Sequence, residues 1–199
     1  MGKLICVVGG TGVGKTTLVH ALCNKGPFVP GLEEHTNRPF QRVFKTNHQY
    51  AFANQLDYML LRAEQECYLR QSPETGLMDG GLEMDFFGFT HLFHARAWLT
   101  DHEFDLCRRF YKFVRTHQPP PEMVIHLTAS PTVIAHRLAT RRRINIVTAE
   151  DILPLDSFLC QWLCTLSPDH ILHLDVSDND NGYLRLLPSL LEKLLPFCK

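Results

Sequence analysis

The sequence predicts an α/β domain, a parallel sheet of about five strands with helices on both faces. Three observations carry that prediction. Short apolar runs rich in β-branched residues recur at Leu4–Val8, Met123–Leu127 and Ile171–Val176. They are nearly continuous, as strands buried on both faces read. Helical periodicity fills the intervals between them. A glycine-rich turn follows the first run at once and leads into a helical pattern.

The elements follow in order. Leu4–Val8 is the first strand. Lys15 to Cys23 reads as a helix that ends near Gly26. Phe28–Glu33 reads as a second strand, weakened by Pro30 and Gly31. From Asn47 to Arg70, the residues Phe52, Leu56, Met59, Leu60, Ala63 and Cys67 recur at three- and four-residue spacing, which predicts a long helix. Ser72–Gly76 reads as a loop, and Leu77-Met78 is a short apolar pair that ends in Asp79, Gly80 and Gly81. A segment over Phe86–Ala97 and a helix over Asp101–Arg115 come next, with Thr100 and Glu103 spaced as a capping box. Pro119-Pro120-Pro121 is a rigid connector. Two helices are predicted over Thr132–Arg141 and Thr148–Leu166, the latter capped by Thr148, and Gly182–Leu195 reads as an amphipathic closing helix. There is no internal repeat and no clean linker, so residues 1–199 read as one domain.

Composition narrows the function. Of 199 residues, 45% are hydrophobic and 21% charged, which excludes disorder and fibrous repeats. A net charge of -1 excludes the basic footprint of a nucleic-acid binder. Arg141-Arg142-Arg143 is the one dense basic run. No apolar stretch reaches the roughly 18–20 residues that a membrane span needs. Eleven histidines are scattered without metal-site spacing. Seven cysteines without a CxxC, and no signal-peptide pattern, predict reduced thiols in the cytoplasm. Cys160 and Cys164, one helical turn apart, read as small buried hydrophobes.

The chemistry sits in Gly9-Gly10-Thr11-Gly12-Val13-Gly14-Lys15-Thr16, which fits GxxxxGK[ST] between a buried strand and a helix. Its glycines let successive backbone N–H groups face phosphate oxygens. The helix N-terminus, extended through Thr17, adds partial positive charge. Lys15 reaches the terminal phosphates, and the Thr16 hydroxyl can ligate Mg²⁺. The motif specifies a nucleoside triphosphate and leaves the reaction open. No NKxD occurs, and small size with an arginine cluster favours a compact kinase. Arg137 and Arg141 share a helix face, and Arg143 begins the loop of a lid that spans about 137–147. Spacing alone reads equally as a solvated helix end.

In order along the chain, these residues resemble the deoxynucleoside kinases, especially the bacterial deoxyadenosine/deoxyguanosine type. Leu32-Glu33-Glu34-His35-Thr36-Asn37-Arg38-Pro39-Phe40 resembles the family's acidic segment, Tyr50–Gln55 with Arg62 its substrate helix, and His136–Arg143 its lid. Leu174–Asp180 resembles the strand and loop that cup adenine. The resemblance implies a P-loop three-layer sandwich that moves the γ-phosphate of ATP, with Mg²⁺, to the 5′-hydroxyl of a deoxynucleoside. It implies Glu33 as general base and charge stabilisation by Lys15, Arg141 and Arg143. Asp79 joins Thr16 at the metal, and Gln55, Arg62 and Asp85 read the base. Arg137, Asp178, Asn179 and Asp180 hold the adenine side. It also implies a homodimer that pairs helices around Phe52–Cys67 and Phe86–Phe93.

The chain departs from the pattern at three places. Gly80 stands where the family has arginine after its acidic residue. Phe44 stands where a tyrosine often touches the sugar, and Ile144-Asn145-Ile146 where the lid carries acids. Two other readings therefore stand beside the kinase. One is a nucleoside monophosphate kinase, which the Gly80 position opposes. The other is a nucleotide-binding protein of the same fold that has lost transfer.

Overall fold

A computed structural model describes residues 2–32, 38–140, 148–178 and 181–198. Glu33, Arg141, Arg143, Asn179, Asp180 and most of the expected lid lie outside the described residues.

Five strands form one parallel sheet: β1 (Leu4–Val8), β2 (Phe28–Gly31), β3 (Thr75–Asp79), β4 (Met123–Thr128) and β5 (Ile171–Asp175). Their spatial order is β2-β3-β1-β4-β5. Every residue of β1 is buried. Leu4, Cys6 and Val8 face one apolar cluster, while Ile5 and Val7 face the other. The unbroken apolar run follows from this position, because a central strand of a parallel sheet has no wet face. Val124 on β4 joins the first cluster, and Met123, Ile125 and Leu127 join the second.

Eight helices flank the sheet among the described residues: α1 (Lys15–Cys23), α2 (Pro39–Phe44), α3 (Ala51–Leu69), α4 (His91–Ala95), α5 (Asp101–His117), α6 (Pro131–Thr140), α7 (Ile152–Leu163) and α8 (Leu187–Leu194). A π-helical turn over Met84–Thr90 joins β3 to α4. Leu18, Val19 and Leu22 of α1 pack in one cluster with Leu187, Leu190 and Leu194 of α8. Leu155 and Leu159 of α7 pack in the other, with Phe44 of α2 and Phe93 of α4. Thr100 and Glu103 form the expected capping box, with the Thr100 N–H donating to Glu103 Oε2 at 2.8 Å. No helix among the described residues is long and apolar enough to cross a membrane.

Several boundaries differ from the sequence reading, each for a local reason. The closing helix begins at Leu187, five residues after Gly182, with Pro188 in its first turn, and Gly182 at φ 85 breaks the helical run before it. A 3-10 turn over Ala149–Asp151 precedes α7, whose first turn holds Pro154. β3 starts at Thr75, earlier than the apolar pair suggested, because Gly76 is paired with Leu4 in the sheet. Helix α2 escaped the periodicity search because it is six residues long, although Pro39 in its first turn is a start signal. Cys160 and Cys164 are exposed, against the expectation of burial. Helix α7 buries Leu155, Leu159, Trp162 and Leu163, which turns both thiols to the opposite side.

Candidate active site

The site lies at the carboxyl ends of β1 and β3, where open α/β sheets place their ligands. After Val8 the chain turns through Gly9, Gly12 and Gly14, all at positive φ, and enters α1 at Lys15. Gly14 shows why the glycines are needed. Its φ is 111°, and a Cβ there would stand 2.3 Å from Tyr183 Oη. A bulkier residue would therefore meet both backbone strain and a clash. The Lys15 ammonium donates to the Gly9 and Gly10 carbonyls at 2.9 and 3.0 Å, folded along the loop it serves.

The Thr16 hydroxyl donates to Asp79 Oδ2 at 2.5 Å. Asp79 ends β3 and is 1% exposed. Its other oxygen, Oδ1, is buried and has no hydrogen-bond partner among the described residues. A buried, unpartnered carboxylate oxygen beside a hydroxyl is costly unless a donor or cation completes it. Two hard oxygen donors suit Mg²⁺, so the residues present fit that ion.

Two side chains that clamp the loop come from far along the chain. Arg137 of α6 donates through Nη1 to the Val13 carbonyl at 2.6 Å and through Nη2 to the Val176 carbonyl at 3.4 Å. Tyr183 donates its hydroxyl to the Gly14 carbonyl at 3.1 Å. The ring is buried and the residue sits at φ 64. Burial raises the phenol's pKa, so it stays a donor at neutral pH. Sequence reasoning missed Tyr183, which matches no motif; the adjacent Gly182 was the available signal for an unusual backbone. Asp178 is exposed at the end of the loop after β5, and Thr17 is exposed on the first turn of α1.

Beyond Asp79 the chain passes Gly80 at φ 88. A Cβ there would stand 3.1 Å from Arg62 Nη2, so the guanidinium occupies the room that a side chain at 80 would take. Arg62 donates through Nε to Asp85 Oδ2 at 3.1 Å, and both residues are buried. Gln55 donates its amide to the Asp85 carbonyl at 2.7 Å and to Thr90 Oγ1 at 2.9 Å. Thus α3 and the π-helical turn bring together the three expected base-reading residues, Gln55, Arg62 and Asp85. The Gln55 nitrogen is already committed within the protein. Gln65, next along α3, receives a bond from Arg62 Nη1 and donates to the Leu32 carbonyl, which ties the helix to the end of β2.

Phe44 is placed elsewhere. Its ring is 1% exposed and packs against Phe93 at 5.1 Å and Trp98 at 5.6 Å. The expectation of a substrate contact there is corrected to core packing, because aromatic neighbours enclose the ring. Sequence reasoning also missed Asp156 of α7, whose Oδ1 lies 3.1 Å from where a Cβ on Gly10 would be. Burial raises its carboxyl pKa, and the Lys15 ammonium pulls it partly back.

A phosphate loop on a five-stranded parallel sheet, with a hydroxyl–carboxylate pair at the next strand end, defines a P-loop nucleotide-binding protein. A family model described as deoxynucleoside kinase matches residues 5–183, and the chain belongs to that family. Among curated proteins, the deoxyguanosine kinase of Bacillus subtilis is 25% identical over 141 residues, covering 70% of this chain and 67% of its own. Among solved structures, the deoxyadenosine kinase of M. mycoides with bound dATP superposes with a TM-score of 0.79 at 17% identity, covering 96% of this chain and 99% of that one. The same enzyme with bound dCTP gives 0.78, also at 17%, covering 97% and 99%.

Proposed function

We propose that this kinase-family chain transfers the γ-phosphate of ATP to the 5′-hydroxyl of a deoxynucleoside. The observation that carries the reading is Asp79. Its free buried oxygen beside Thr16 awaits a cation, and one residue further on Arg62 and Asp85 form a buried polar wall. Mg²⁺ held by Thr16 and Asp79 would neutralise charge on the phosphates when bound. The loop N–H groups and Lys15 cradle the β- and γ-phosphates and stabilise charge as the phosphoryl group moves. Arg137 and Tyr183 hold the loop carbonyls, which fixes the direction of those N–H groups. Arg137 also stands at the adenine side, with Asp178, Asn179 and Asp180 as the proposed cup. Arg141 and Arg143 are proposed to close on the phosphates and exclude water. Gln55, Arg62 and Asp85 present donors and acceptors to the base edge. Glu33 is proposed as the general base that takes the 5′-hydroxyl proton.

The test is transfer from labelled ATP, with Mg²⁺, to the four deoxynucleosides, the ribonucleosides and several nucleoside monophosphates. Lys15→Ala should lower kcat by about 10²–10³-fold, and Glu33→Gln should abolish turnover while ATP still binds. Transfer only to monophosphates would replace the acceptor assignment. ATP binding without transfer to any acceptor would replace the kinase with a nucleotide-binding protein.

Of the two helical segments expected to pair in a homodimer, the one around Phe86–Phe93 has Phe86, Leu92 and Phe93 buried within the chain. The homodimer is therefore proposed instead on exposed apolar side chains of neighbouring helices, Leu60 and Tyr68 on α3 with Leu106 and Phe113 on α5. Sedimentation that gives a monomer at working concentration would end that assignment.

A further inference from the structure

Strands β4 and β5 match apolar residues with apolar residues along most of their shared register. Val124 pairs with Ile171, Ile125 with Leu172 and Leu127 with Leu174. One pair in the middle breaks the pattern, where His126 lies directly opposite His173. His126 belongs to a strand whose first five residues are all buried, and is itself 7% exposed. Burying an imidazole there carries a cost that an apolar residue would not. Breaks of a local pattern are expected at functional or strained sites. His173 is exposed on the edge strand, so the pair can be reached from solvent.

The two rings meet at their nitrogens. Nδ1 of His126 lies 3.2 Å from Nδ1 of His173. The ring planes cross at 76° with centroids 5.3 Å apart, so the rings do not stack. With both rings neutral, one Nδ1 carries a proton and the other accepts the hydrogen bond. Moving that proton to Nε2 of its own ring leaves a lone pair on each of the two facing nitrogens, and both rings stay neutral. Bonds of about 2.0–2.1 Å from two imidazoles to a tetrahedral zinc ion set the nitrogens roughly 3.3 Å apart. The observed spacing of 3.2 Å matches that geometry without movement of either strand.

We propose that His126 and His173 form a two-histidine site for a divalent transition metal ion of the Zn²⁺ class. Imidazole suits such ions, whereas Mg²⁺ takes oxygen donors. The site is therefore distinct in chemistry from the pair formed by Thr16 and Asp79. Among the described residues no third histidine, cysteine or carboxylate joins the two rings, so water fills the remaining positions. The ion staples β5 to β4. In the sheet β5 is held by β4 alone. Just beyond β5, the Val176 carbonyl accepts from Arg137, which clamps the phosphate loop. An ion bound by the folded chain and not by the unfolded one raises stability.

The experiment titrates Zn²⁺ by calorimetry into the wild type, His173→Gln and His126→Gln, with Mg²⁺ in excess to occupy oxygen sites. Melting temperatures are recorded with and without Zn²⁺. The wild type should bind one equivalent of Zn²⁺ that both variants lose, and its melting temperature should rise with Zn²⁺ and fall back with a chelator. Removing one of the two ligands should weaken that equivalent by at least about tenfold, since even outer partners of a metal ligand are worth about 10–100-fold. His173→Gln carries the test if His126→Gln does not fold, because position 173 is exposed. Zn²⁺ bound equally by the wild type and His173→Gln overturns the inference, since the ion then sits on other side chains, such as the exposed thiols of Cys67, Cys160 and Cys164. A wild type that takes up no Zn²⁺ overturns it as well.

Discussion

Helix α3 contributes to two buried ionic groups one turn apart, and they are built differently. At the cleft, Arg62 donates through Nε to Asp85 at 3.1 Å, next to the space left by Gly80. One turn further along α3, Arg115 of α5 closes on the buried carboxylates of Glu66 and Glu83 and forms the inner group. Its Nη1 and Nη2 donate to both oxygens of Glu66 at 2.8 and 2.9 Å, and its Nε donates to Glu83 at 2.6 Å. Both groups tie α3 to the segment after β3, and the carboxylates of both are buried. The inner group uses three guanidinium nitrogens on two carboxylates and is geometrically complete on the arginine side. The cleft group borders Gly80, which follows Asp79. Burial of charge therefore does not by itself mark a site. The group of Arg115, Glu66 and Glu83 ties α5 to α3 and the segment after β3, and the group of Arg62 and Asp85 stands beside Gly80.

Parallel substitutions separate the two. Arg115→Met leaves two carboxylates buried without a cation, and should cost about 3–5 kcal/mol of stability. Chemical denaturation measures the loss, and nucleoside preference per folded molecule should not change. Arg62→Lys keeps a charge for Asp85 but loses the planar fork. It should weaken nucleoside binding by about 1.5–3 kcal/mol, roughly tenfold to a hundredfold in Kd, with little effect on the melting temperature. If the lysine variant instead unfolds early and binds normally, the assignment of the two groups is reversed. Gly80→Ala puts a Cβ at φ 88 and 3.1 Å from Arg62. It should cost about 1–2 kcal/mol through backbone strain and disturb nucleoside binding in the same sense as Arg62→Lys. Replacing Gly80 by the family's arginine should therefore fail to raise activity.

The smallest effect is in the pH dependence of stability. Burial raises the Glu83 carboxyl above its ordinary 4.5, against the opposing pull of Arg115. The folded chain then holds that proton more tightly than the unfolded chain, so this group's contribution falls as pH rises through the window above 4.5. His126 acts in the opposite sense. Burial and the neighbouring His173 lower it from 6.5 to about 4, so its contribution is complete above 6.5 and is lost as pH falls through about 4. Glu83→Gln removes the first slope and leaves the second. Denaturation midpoints should then rise more steeply between pH 4.5 and 6.5 than in the wild type.

The sequence alone determined the sheet and its floor. Short apolar runs rich in β-branched residues read as strands, and β1, β4 and β5 lie where those runs lie. β1 and β4 are buried, while β5, at the sheet edge, is only partly covered. The loop from Gly9 to Thr16 was legible because local backbone chemistry dictates its residue types. The Thr100–Glu103 cap was legible for the same reason. Other features depended on contacts between distant segments, which carry no spacing signal. Tyr183 reaches Gly14 from 169 positions away, and Arg137 reaches Val13 from 124. Asp156 meets Gly10 only because α7 packs over the loop, and Phe44 loses its expected role because Phe93 and Trp98 surround it. Local propensity set the elements and the phosphate loop. Packing decided which acids each of Arg62 and Arg115 meets, because contacts on a folded chain are a property of the neighbours and not of the residue.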